Sequence, residues 1–269
     1  MVVEPRVVRR MPAVEGAFPV VVNGRDRGEV VRQAGLWADW IEAHPDVPIA
    51  GVAVTAALHR TRFSWRAGVV AASPGEAVAA LRGIADAATR ERARLLFDCS
   101  IHGGRWVGMG RELLSVTAFA DAVAECEDML RPLVGWSVVD ALVGDCDLDL
   151  EHPDVVRVVS FVAQVGVAAA LRAYGVTPDA AFGGVAAGVV TGRLALGDAV
   201  RMVVAGVGEW SESYTSADAV VRIGAVRDGV AGLMRVLVDA FTQGYAVDWA
   251  RVLPGADLVD LPVSLCCAE

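Results

Sequence analysis

Residues 178–190, PDAAFGGVAAGVV, constrain the fold more than any other part of the chain. A short apolar run, Ala180 to Phe182, meets two consecutive glycines, Gly183 and Gly184, and small residues follow from Val185. Three apolar residues make a short buried strand, a glycine pair permits a sharp turn, and an Ala/Val/Gly run after it suits a closely packed helix. Strand, turn and helix in that order is a building unit of a parallel α/β sheet. In α/β enzymes such a turn presents a nucleophile between glycines. No Ser, Cys or Asp stands on this one.

The rest of the chain alternates strands and helices in the same way. Residues 18–23, 66–72, 95–99, 180–182 and 219–225 read as strands. Asp26 and Glu29 form a capping-box pattern before a helix that His44-Pro45-Asp46 stops. Ser73, Pro74 and Glu76 start another helix, expected to run to about Ala87. Helices are also expected at 49–58, 107–114, 118–130, 136–143, 155–174, 184–194, 197–207 and 229–242, with a short turn at 247–253. The first two strands form a small sheet with helices on one side. The strands at 95–99, 180–182 and 219–225 are expected to be neighbours joined by right-handed crossovers.

Four segments result: a tail over 1–17, a small α/β unit over 18–92, a larger α/β unit over 93–228, and a helix with an extended tail over 229–269. A chain of 269 residues that is 55% hydrophobic, with 28 Gly, can bury a real core and is not disordered. The net charge of −9, without a basic stripe, argues against nucleic-acid binding. The richest apolar run, 155–171, is interrupted by Arg157, Ser160 and Gln164, so no membrane span is expected. Charges fill the N-terminal residues where a signal peptide needs an apolar stretch, and a cytoplasmic protein is expected. Five cysteines without C-x-x-C spacing point away from structural zinc and from a disulfide framework. The sequence implies no metal and no cofactor.

An ordered series of motifs resembles a known family. Trp106-Val107-Gly108-Met109-Gly110-Arg111-Glu112-Leu113-Leu114 resembles the start of the acyltransferase domain of modular type I polyketide synthases. Leu130-Arg131-Pro132-Leu133, Gly135-Trp136-Ser137 and Tyr174-Gly175-Val176-Thr177-Pro178-Asp179-Ala180 continue the likeness. Upstream, residues 18–87 resemble the ketosynthase–acyltransferase linker. Downstream, Tyr245-Ala246-Val247-Asp248-Trp249 and Asp260-Leu261-Pro262 resemble the post-acyltransferase segment. The resemblance implies an α/β fold: a small linker-type β-α unit beside a reduced, three-layer parallel sheet of acyltransferase type. It also implies that the C-terminal tail runs back over the linker unit.

The departures from the family pattern bear on function. The family's G-Q-G-S-Q loop is replaced by Ile101-His102-Gly103-Gly104-Arg105. Its G-H-S-x-G elbow is shortened to Gly183-Gly184, and the Ser-bearing residues are missing. The Arg that grips the extender carboxylate aligns with Gly206, and a Gln of the long helix aligns with Arg157. The ferredoxin-like subdomain that bears the catalytic His is missing between Val207 and Ala219. Acyl transfer needs a nucleophile, a base and oxyanion donors together. The expectation is a stand-alone polyketide-pathway protein, a pseudo-acyltransferase without acyl transfer. It is expected to be recruited to tailor a polyketide chain (cyclisation, dehydration or a pericyclic step); the alternative is a scaffold that binds a synthase module or carrier protein.

For the tailoring reading, the candidates are Asp98, Cys99, Ser100, His102 and Arg105, at the carboxyl end of a strand where open α/β sheets place ligands. His102 suits proton transfer near neutral pH and Arg105 suits an anion or enolate. The plainer alternative makes His102 a solvated loop residue and Arg105 a surface charge. Gly183, Gly184, Arg157, Trp210 and Tyr214 are the candidate substrate-binding residues. Arg157 equally suits an outward-snorkelling role, and Trp210 and Tyr214 a connecting one.

Overall fold

In the computed structural model the residues described are 16–59, 63–85, 94–100, 109–207, 219–223, 226, 228–253 and 255–262. The fold is built from two small sheets wrapped in helices.

The first sheet pairs β1 (Phe18–Gly24) antiparallel with β2 (Trp65–Ala71), Val21 opposite Gly68. Between them lie α1 (Arg27–Ala43) and α2 (Ile49–Leu58), and α3 (Pro74–Arg82) follows. The cap forms with one shift: Asp26 Oδ1 accepts from the Glu29 amide at 2.7 Å, while Glu29 Oε2 accepts from the amide of Arg25, one residue before the N-cap, at 2.6 Å. Ser73 caps α3 in the same style. That helix stops at Arg82, with Gly83 as its cap, short of the expected Ala87.

Helices cover this hairpin from beyond its own unit as well, so the sheet is not covered by its own helices alone. A Cβ on Gly68 would lie 2.8 Å from Val238 Cγ1 of α10 (Gly229–Thr242). Arg66 Nη1 donates to the carbonyls of Tyr245 (3.0 Å) and Phe241 (3.3 Å), and its guanidinium stacks over the Phe241 ring.

The second sheet is parallel, in the order β4-β3-β5: β3 (Leu95–Asp98) lies between β4 (Ala180–Phe182) and β5 (Ala219–Arg222). The three expected neighbours are thus neighbours. Leu95, Leu96 and Phe97 are all fully buried, and since successive side chains point to opposite faces, both faces of β3 are covered. β5 ends at Arg222, earlier than the expected residue 225; Ile223 already turns, and residues 224 and 225 lie outside the described set.

The helices between β3 and β5 are α4 (Met109–Leu113), α5 (Thr117–Val134), α6 (Val138–Val143), α7 (Pro153–Ala173), α8 (Val185–Val190) and α9 (Leu196–Val204). α5 runs through Pro132, four residues beyond its expected end. A proline in the last turn forfeits one hydrogen bond, and Gly135 at φ +79° closes the helix behind it. α6 starts later than expected, at Val138, because Ser137 Oγ caps it and Glu127 Oε2 accepts from the Val138 amide at 2.7 Å. α7 is long and apolar enough to cross a membrane by length and composition, but 72% of its apolar window is buried inside the protein. α5 packs so closely along it that a Cβ on Gly166 would meet the Phe119 ring at 2.7 Å.

The C-terminal segment follows α11 (Trp249–Val252) and runs back over the first unit, as the resemblance implied. Gln33 Nε2 and Trp37 Nε1 both donate to the Pro262 carbonyl at 2.9 Å, and the Val259 amide donates to Thr55 Oγ1 at 2.9 Å.

Candidate functional site

The carboxyl end of β3 meets the glycine turn after β4. Asp179 fixes the register of this pair at its other end: its Oδ2 accepts from the Leu95 amide, and its own amide donates to the Leu95 carbonyl, both at 2.8 Å. At the near end the Cys99 amide donates to the Phe182 carbonyl at 2.8 Å, one residue past the strand. Asp98 Oδ1 then accepts from the Ser100 amide at 2.9 Å, a local turn that swings the chain toward Gly183.

The turn has the shape of an elbow and is closed. Gly183 has φ +93° and Gly184 has φ +78°. A Cβ on Gly183 would sit 2.4 Å from both the backbone N and the Oγ of Ser100. Only glycine fits there, because the chain after β3 presses directly on it. Gly184 is the N-cap of α8.

Asp98, Ser100, Gly183 and Gly184 are therefore brought together. Cys99 is adjacent but fully buried, and burial, reinforced by the neighbouring Asp98 charge, pushes its thiol well above the ordinary range. Such a thiol stays protonated and is a poor nucleophile. Asp98 is 6% exposed, and its Oδ2 lies 3.9 Å from Nε of Arg222, its register partner on β5.

Arg157 is held by α9 and by its own helix. Its Nε donates to the Val203 carbonyl of α9 at 2.9 Å, and Nη2 pairs with Asp154. It secures the last turn of α9, where its charge also suits the helix dipole. A Cβ on Gly206 would lie 3.9 Å from Nη2, so the guanidinium rests beside the position that the resemblance aligned with the family's carboxylate-gripping Arg. His102, Arg105, Trp210 and Tyr214 lie outside the described residues.

Sequence reasoning missed Arg222 and the groove it borders. A cavity of about 380 Å³ opens between β5 and α10, lined by Val220, Val221 and Arg222 on the strand, by Asp228 at the N-cap, and by Gly232, Arg235, Val236 and Asp239 on the helix. Arg235 Nη1 pairs with Asp228 Oδ2 at 2.7 Å, and burial raises the Asp239 carboxyl above its usual range. The signal was present: once the strands at 95–99 and 219–225 are neighbours, an Arg at the end of one falls beside the Asp at the end of the other.

Comparison with known proteins agrees with this architecture. Residues 96–221 match the family described as Acyl transferase domain, and residues 24–81 match the one described as CurL-like, PKS C-terminal. The chain is 35% identical over 203 residues to Erythronolide synthase EryA3 of Saccharopolyspora erythraea, covering 70% of this chain and 6% of that protein. It is 36% identical over 206 residues to Pikromycin polyketide synthase component PikAII of Streptomyces venezuelae, covering 71% of this chain and 5% of that protein. The solved acyltransferase domain from module 8 of the salinomycin polyketide synthase superposes with a TM-score of 0.58 at 29% identity, over 70% of this chain and 48% of that domain. The chain thus spans about half of a solved acyltransferase domain and a small fraction of the synthases it matches. The chain carries part of an acyltransferase domain of the modular polyketide synthase type, behind a segment of the CurL-like, PKS C-terminal kind.

Proposed function

We propose that this protein is an acyltransferase-derived component of a polyketide pathway that does not transfer malonyl or other acyl units. The observation that carries this is the closed elbow. Gly183 lies so tightly against Ser100 that not even a Cβ has room where a nucleophile would have to project. Residues 208–218 are all that separates α9 and its exit from β5, too short a stretch for the base-bearing subdomain of the family resemblance.

Of the two roles left, binding to a synthase module or carrier protein has the better support. The described candidates are committed to structure: Cys99 is buried and protonated, Asp98 holds the Ser100 amide, and Arg157 holds α9. The tailoring role rests on the polar groups of Asp98, Ser100 and Arg222 at the carboxyl edge of the sheet.

Incubation with malonyl-CoA followed by intact-mass measurement tests the first claim, and the expected result is an unmodified protein. A stable malonyl-protein adduct would overturn it. Deleting the gene separates the two roles: an unfinished polyketide supports tailoring, and loss of every product supports binding.

A further inference from the structure

We draw no further inference here: the strongest candidate, the apolar surface patch that Met129 and Leu133 expose one turn apart on α5, is an unpartnered helix face, and nothing in the structure shows what covers it.

Discussion

Gly183 is held by two independent constraints, a positive φ and a Cβ position 2.4 Å from Ser100 N and Oγ. Relieving one leaves the other, so Gly183→Ala is expected to cost roughly 2–4 kcal/mol in chemical denaturation. Gly192, also at positive φ but with open space around its Cβ direction, serves as the control; Ala there is expected to cost only about 1 kcal/mol. Cys99 makes a second prediction. Its thiol pKa is raised in the folded state by burial first and by Asp98 second. The unfolded chain therefore ionises first as pH rises. The stability Cys99 contributes is fully present below its ordinary value near 9.0 and is lost as pH climbs above it. Native Cys99 is expected to react with a thiol reagent at the rate of unfolding, and the half-buried Cys146 faster than that. Fast reaction at neutral pH without denaturant would contradict its burial. At this scale the sequence was legible in part. The glycine pair announced a sharp turn, but that Ser100 fills the space above it depends on a contact between residues more than eighty positions apart.

The elements are where local signals served best and where they stopped. Caps written in the sequence, at Asp26 and Ser73, start helices where expected because each involves residues within four positions. Helix ends were less legible. The helix expected to end at Leu130 runs on to Val134, and α5 absorbs Pro132 in its last turn, since packing on α7 outweighs one missing hydrogen bond. Asp179, assigned no structural role by the sequence pattern, proves to be the clamp that sets β3 against β4. Asp179→Ala leaves the Leu95 amide without its side-chain acceptor and is expected to cost about 1–3 kcal/mol in thermal or urea unfolding. Asp179→Asn, which keeps an acceptor oxygen, is expected to recover most of that loss. A variant as stable as the parent would show that the clamp carries no energy.

Across the whole molecule, the last segment ties the ends of the chain together. Leu261 is buried, and the Pro262 carbonyl accepts from both Gln33 and Trp37. Deleting residues from 255 onward removes these contacts. It is expected to cost about 3 kcal/mol, from one buried Leu side chain and its neighbouring hydrogen bonds, and to shift Trp37 fluorescence toward that of a solvated indole. The strand alternation, the hydrophobic pattern and the missing nucleophile were determined by the sequence alone, because they depend on residue type and on neighbours a few positions away. That β3, β4 and β5 share one sheet could be expected from it as well, whereas their order β4-β3-β5 is read from the structure. Three more things only the tertiary structure decided: the closed elbow of Gly183 on Ser100, the hold of Arg157 on α9, and the groove along β5. Each is a matter of distance between segments far apart in the chain, and no local pattern of residues encodes how closely two such segments approach.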